Sequence, residues 1–198
     1  QQNYLPVILG GGHDAAYPHF LGIQKHVANT GETIGIINFD AHFDLRPLID
    51  GKEHSGSPFL QIAVQFPEQF NYLVLGIQKA ANPKTLFETA SDINCAYLEI
   101  EQFNLAHWGL VETSISQFLQ SVDKVYVSID LDGFSSAYAP GVSAPSPFGF
   151  SPEIVFKSLD LIIQSNKLLI FDIVELNPAY DQDNATARLG ARCLEYIV

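Results

Sequence analysis

Six short apolar runs recur along the chain: 5-LPVIL-9, 34-IGIINF-39, 72-YLVLGI-77, 95-CAYLEI-100, 124-KVYVSI-129 and 168-LLIFDIVEL-176. Runs of this length and kind read as buried strands. Between them, amphipathic stretches predict helices at about 14–29, 58–66, 83–91, 110–121, 151–165 and 183–197. This alternation is the pattern of βα units around a mostly parallel sheet, an α/β fold. Ser57 before Pro58 and Ser151 before Pro152 predict capping hydroxyls ahead of a first-turn proline, and Asp183 is the predicted cap of the last helix. No internal repeat, low-complexity tract or Ser/Gly linker divides the chain, so residues 1–198 read as one domain. The irregular segment 131–150 directly follows a strand, and long ordered loops in compact domains are often functional.

The polar residues that break this pattern gather where the strands end. In 38-NFDAHFDLRP-47, Asp40, His42 and Asp44 occupy alternate positions, and in an extended backbone such positions line one face. Asp130 and Asp132 repeat that spacing in 128-SIDLD-132, and the glycines of 10-GGGHD-14 permit a tight turn that presents His13. All three clusters sit at the carboxyl ends of predicted strands, the edge at which open α/β sheets bind ligands. Carboxylates buried without partners are too costly to keep charged, so a strong cation is expected among them.

Six ligands exceed the three protein ligands and water of a catalytic zinc. They suit two ions sharing bridging carboxylates, roughly 3.5–4 Å apart, with an activated water between them. Oxygen-rich ligation with some imidazole favours Mn²⁺ over a thiolate-preferring metal, while iron, cobalt and zinc stay open. Taken singly, each cluster has a plainer reading: GGGHD as a strand-to-helix turn capped by Asp14, DxD as an ordinary loop pair. The coincidence of all three at strand ends favours metal. His19, His26 and His107 have no such company and read as surface or partly buried residues.

Composition narrows the partners. With 47% hydrophobic and 16% charged residues the chain has material for a core and does not read as disordered. Ten basic residues against 22 acids, net −12, argue against nucleic acid, whose phosphates must be neutralised. No apolar run approaches the roughly 18 residues that cross a bilayer, so no membrane partner is expected. Cys95 and Cys193 lie far apart without CxxC spacing, which suggests neither a disulfide framework nor a zinc ribbon and makes a reducing cytoplasm the expected home. The opening 1-QQNYLPVILG-10 has no methionine, polar lead-in or basic signal-peptide flank, and the natural N-terminus is expected to lie upstream.

The GG-x-H turn, the DAHxD segment and the SxDxD segment, in that order, resemble the arginase-like ureohydrolase family from residue 10 to the last helix. Within it, 38-NFDAHFDLRP-47, 54-HSGSPF-59, 140-PGVSAPSP-147 and 171-FDIVELNPAYDQDNATARLGA-191 are most similar to members acting on the formimidoyl derivative of glutamate. The resemblance implies a three-layer α/β/α fold, two Mn²⁺ ions, and hydrolysis of N-formimidoyl-L-glutamate to glutamate and formamide in histidine degradation. It also implies that a usual member's first strands are absent before Gln1. Asp40 and Asp130 become the bridging ligands, with His13 and Asp44 on one ion and His42 and Asp132 on the other.

By the same resemblance, Asp44 also orients a hydroxide held between the ions, the nucleophile. Glu175 matches the position facing the cationic nitrogen of the substrate, its plainer reading being a salt bridge before an Asn-Pro turn. Arg46 lies where relatives contact the amino-acid end, and a guanidinium fork suits a carboxylate; pairing with Asp50 is the alternative. Guanidine-hydrolysing relatives carry His-Gly-x-Pro where this chain has Ser55-Gly56-Ser57-Pro58. Ser55 thus stands in place of a proton-shuttling histidine beside the substrate, and His54 or a water is left as proton donor. An agmatinase or other guanidino-compound hydrolase would share every metal ligand, and a metal-binding domain without turnover is the reading from another class. Assembly as a homo-oligomer is compatible with the sequence.

Overall fold

A computed structural model describes residues 4–28 and 30–198; residues 1–3, and Asn29 at the end of the first predicted helix, lie outside the described residues. The elements are β1 (Val7–Leu9), α1 (Ala16–Val27), β2 (Ile34–Phe39), α2 (Pro58–Gln65), β3 (Asn71–Ile77), α3 (Lys84–Asp92), β4 (Ala96–Glu99), α4 (Trp108–Ser121), β5 (Lys124–Asp130), α5 (Pro152–Gln164), β6 (Leu168–Val174) and α6 (Ala185–Ile197). Each forms where the apolar pattern places it, with ends shifted by no more than two residues. The strands make one sheet in the order β1-β6-β5-β2-β3-β4, and every pair is parallel.

Parallel neighbours need long crossovers, and here helices supply them on both faces. One face packs Ile36, Tyr72, Val74, Tyr126 and Ile170 against α1, α2 and α3. The other packs Ile37, Phe39, Leu75, Val127 and Phe171 against α4, α5 and α6. The result is a three-layer α/β/α arrangement in which alternate residues of each strand enter different cores. β2 leads outward to β3 and β4, whereas β5 returns to the opposite side of β2, so the strand order reverses between β2 and β5. A crevice opens at such a reversal.

The predicted caps are placed differently. The Ser57 hydroxyl turns back to donate to the His54 carbonyl at 2.8 Å because Ser57 is itself helical in backbone, and neither it nor Ser151 caps its helix. Asp183 does not cap α6 either: Asp183 and Asn184 both have positive φ, so the chain turns there. Asp181 reaches past them to accept from the Thr186 and Ala187 amides at 2.9 and 3.0 Å.

Segment 131–150 folds back on itself through bridges from Phe134 to Phe150 and from Ser135 to Ser146. The buried Phe150 ring lies where Gly76 and Gly133 leave room for it. A Cβ at either position would come within 2.6 or 2.5 Å of that ring, and both also approach the backbone of Asp40. Phe150 therefore wedges the floor on which the strand-end acids stand. Phe150→Ala is expected to lower unfolding free energy by about 3–5 kcal/mol, the usual cost of emptying a buried aromatic site. Urea unfolding followed by tryptophan or far-UV signals measures it, and a loss below 1 kcal/mol would contradict the wedge.

Candidate metal centre

The register of the two central strands builds the site. Phe39 pairs with Ile129, so Asp40 and Asp130 emerge beside one another at the point where the strand order reverses. Asp40 Oδ1 accepts from the His42 amide at 2.7 Å, and Asp130 Oδ1 accepts from the Asp132 amide at 2.8 Å. The same local turn thus closes each strand end and aims the next ligand inward. Asn38 Nδ2 steadies the other Asp40 oxygen at 2.9 Å and is itself held against the Tyr72 hydroxyl. His13 arrives from the opposite side after Gly10 and Gly11, whose φ values of +83° and +78° make the turn that glycine allows without strain.

The six residues converge in two groups of ligand atoms: His13, Asp40, Asp44 and Asp130 in one, Asp40, His42 and Asp132 in the other. Asp40 belongs to both, while Asp130 groups with His13. Nδ1 of His13 lies 3.3, 2.9 and 3.0 Å from carboxylate oxygens of Asp40, Asp44 and Asp130. None of these contacts has hydrogen-bond geometry: His13 Nδ1 and Asp132 Oδ1 are buried polar atoms without a hydrogen-bond partner. Exposure of Asp40, Asp130, Asp132 and Asp44 is 0, 2, 5 and 7%, so water does not relieve their repulsion. Orphaned donor atoms, an oxygen-rich set and two imidazoles together fit a pair of divalent cations.

The electrostatics say what stands in when no cation is bound. Burial disfavours a charged His13, but Asp130, Asp40 and Asp44 outweigh it and hold the imidazole well above its usual pKa. Asp132 and Asp40 likewise overcome burial at His42, which is pushed up to about 12. Burial, reinforced by the charge of Asp40, raises Asp44; burial with Asp132 and Asp40 raises Asp130; burial raises Asp132. Asp40, facing both imidazoles, is held below the carboxylate range despite its burial. Protons thus do the neutralising that a divalent ion would otherwise do.

Beside the cluster lies a cleft of about 500 Å³ lined by Gly11, Gly12, Asp14, His54, Ser55, Ser143, Glu175 and Asn177 among others. None of the six ligands lines this cleft or a larger cavity of about 840 Å³ between β1, α1 and β6; the cleft meets the cluster through Glu175. Glu175 has φ +66° and its Oε1 accepts from the His13 amide at 2.7 Å, so it joins the cluster's frame to the cleft. Burial raises its pKa. Gly12 lies between: a Cβ there would meet Asp14 Oδ1 at 2.7 Å and Glu175 Oε1 at 3.3 Å.

Both ring nitrogens of His54 are occupied inside its own loop. Nδ1 accepts from the Gly56 amide at 3.2 Å, which leaves Nε2–H to donate to the Pro47 carbonyl at 3.1 Å. Arg46 is exposed and stands outside the cleft lining, its stem against Gly56, and no ion pair joins it to Asp50. Sequence reasoning gave no role to Asn38 and Ser128. The available signal was a polar residue two positions before an aspartate in an otherwise apolar strand.

The chain matches the sequence profile of the Arginase family over residues 1–198 and belongs to that family. It is 40% identical over 194 residues to a formimidoylglutamase of Clostridium tetani (strain Massachusetts / E88), covering 96% of this chain and 57% of that protein. Its fold superposes on the crystal structure of formimidoylglutamase from Bacillus subtilis subsp. subtilis str. 168 with TM-score 0.85 at 25% identity, covering 98% of this chain and 60% of the other. A crystal structure of Trypanosoma cruzi formiminoglutamase with Mn²⁺ gives TM-score 0.84 at 25% identity, with coverage of 98% and 64%. The chain therefore spans less than two thirds of these relatives.

Two measurements test the cluster. Because His13 and His42 must lose protons to ligate, divalent-ion binding should release protons and tighten as pH rises from 6 to 8. Calorimetry in buffers of different ionisation enthalpy measures this, and binding without proton release would contradict it. Asp40→Ala, which strikes both ligand groups, should abolish binding of both ions, whereas Asp132→Ala should leave one, as read by metal analysis after dialysis.

Proposed function

We propose that this chain carries the catalytic domain, residues 1–198, of a formimidoylglutamase that hydrolyses N-formimidoyl-L-glutamate to L-glutamate and formamide in histidine degradation. The observation that carries this reading is the pair of buried ligand groups meeting at Asp40, directly beside a cleft that contains Glu175. In it His13, Asp40, Asp44 and Asp130 would hold one ion and Asp40, His42 and Asp132 the other, with Asp40 and Asp130 as the residues that would be shared between them. Two divalent ions, Mn²⁺ first among them, supply a water that is deprotonated near neutral pH and a strong local positive charge.

The remaining work falls to side chains of the cleft. Glu175 has one oxygen tied to the His13 amide and offers the other to the amidinium of the substrate, fixing it over the cluster. Asp44, held at φ +51°, turns its carboxylate into the cluster and orients the attacking water. Ser55 and Arg46 receive the carboxylates of the glutamyl moiety, Arg46 by swinging its exposed guanidinium over Gly56. Since His54 is engaged at both nitrogens, the proton for the leaving nitrogen passes through a water of the cleft, or through His54 once its contact with Pro47 opens. The substrate is a small molecule met in the cytoplasm, with no nucleic-acid or membrane partner; among the described residues no helix is long and apolar enough to cross a membrane.

Turnover of N-formimidoyl-L-glutamate, followed by formamide release, should far exceed that of agmatine or arginine. Agmatine has a cationic tail and no carboxylate, so an unpaired guanidinium facing it repels it. Arg46→Ala should lower kcat/KM about ten- to a hundredfold, a loss of roughly 1.5–3 kcal/mol for a charge-assisted contact, with metal content unchanged. Faster hydrolysis of agmatine would transfer the assignment to a guanidino-compound hydrolase of the same family. Full metal loading with no turnover of any amidine or guanidine would leave a metal-binding domain.

A further inference from the structure

One fully buried acid takes no part in the cluster. Asp172 lies within β6, opposite Ser128 of β5 in register, on the face covered by α1, α2 and α3. Three groups surround its carboxylate. Ser128 Oγ donates to Oδ1 at 2.5 Å, the Tyr126 hydroxyl donates to Oδ2, and His19 Nδ1 lies 3.1 Å from Oδ2. Burial and the adjacent Asp172 raise the Tyr126 pKa, so the phenol keeps its proton and acts as donor. A carboxylate accepts only, hence His19 Nδ1–H donates as well. His19, partly buried as the sequence suggested, is thus paired with a fully buried acid.

The direction of these bonds decides the state of His13. A serine hydroxyl has a single proton, and Ser128 gives it to Asp172. At the 2.8 Å contact with His13 Nε2, Ser128 Oγ is therefore the acceptor, and the ring proton sits on Nε2. When His13 gives up its second proton to ligate, the nitrogen left with its lone pair is therefore Nδ1, the atom facing Asp40, Asp44 and Asp130. We propose that Asp172 is a positioning residue for the metal centre: acting through Ser128, it holds His13 in the Nε2–H tautomer and presents Nδ1 to the ion. The proposal rests on the reading of the cluster as a metal centre. Hydrogen bonds of this kind from beyond the ligands orient them and raise their basicity.

The test uses Mn²⁺ and the full chain. In Asp172→Asn the side chain keeps its shape, and its oxygen stays with the two donors Tyr126 and His19. Its amide N–H then points at Ser128, which must donate to His13 Nε2 and place the ring proton on Nδ1. Mn²⁺ affinity by calorimetry should fall about 10–100-fold. Ser128→Ala, which removes the link without reversing it, should fall less, and Asp172→Asn added to Ser128→Ala should cost nothing more. A merely structural Asp172 would lower affinity equally in both backgrounds, and that result overturns the proposal, as does unchanged affinity in Asp172→Asn.

Ring ¹⁵N signals of the parent loaded with diamagnetic Zn²⁺ report the tautomer directly, and a proton on His13 Nδ1 overturns the proposal even if Asp172→Asn fails to fold. In that event Ser128→Ala carries the affinity test, and unchanged binding again overturns it. A parent that binds no divalent ion defeats the metal reading along with this one. A parent that binds while the variants behave independently defeats this one alone.

Discussion

Four carboxylates crowd one space that water hardly reaches, and this constraint organises the molecule. Asp40, Asp44, Asp130 and Asp132 repel one another strongly at such separations in a weakly polarisable interior, so the fold needs compensating positive charge at that spot. His13 and His42 supply it as imidazolium when no cation is bound, which is why their pKa values lie so high. The surroundings hold the acids against their repulsion: backbone amides on Asp40 and Asp130, Asn38 on Asp40, and the Phe150 wedge beneath.

The sheet's two faces divide the labour. Toward α4, α5 and α6 the strands present Ile37, Phe39, Leu75, Val127, Ile129 and Phe171, an apolar layer with high packing demands and no polar interruption among these positions. Toward α1, α2 and α3 the alternate positions carry a polar thread, Asn38 with Tyr72 on one side and Tyr126, Ser128 and Asp172 on the other. Buried polar groups are tolerable only when partnered, and each of these has partners that lead toward Asp40 or His13. The second face therefore both closes a core and steadies the ligands.

The site also stores backbone strain. Asp44, in the cluster, and Glu175, in the cleft lining, are both non-glycine residues with positive φ. Such conformations cost on the order of 1–3 kcal/mol each and persist where surrounding contacts over-determine them. At Glu175 those contacts are its amide bond to the Gly11 carbonyl and its carboxylate bond to the His13 amide. The turn after β1 and the turn after β6 are thereby locked as neighbours, which fixes the height of Glu175 above the ligands.

The sequence by itself determined everything that depends on short-range periodicity. Apolar runs specified the six strands, helical spacing the six helices, and alternate positions at strand ends five of the six candidate ligands, the glycine turn supplying His13, because side-chain direction follows from local backbone geometry. What only the tertiary structure decided involves partners far apart in the chain. Strand order brings His13 within reach of Ser128, 115 residues away, and of Glu175, 162 residues away, and joins His19 to Asp172 across 153 residues. It also sets Asp40 within both groups of ligand atoms, one with His13, Asp44 and Asp130 and the other with His42 and Asp132. No local pattern encodes these choices. They follow from which surfaces bury each other once the sheet is assembled, and from the partners that buried polar groups find there, His13 Nδ1, Asn38 Oδ1 and Asp132 Oδ1 being left without a hydrogen bond.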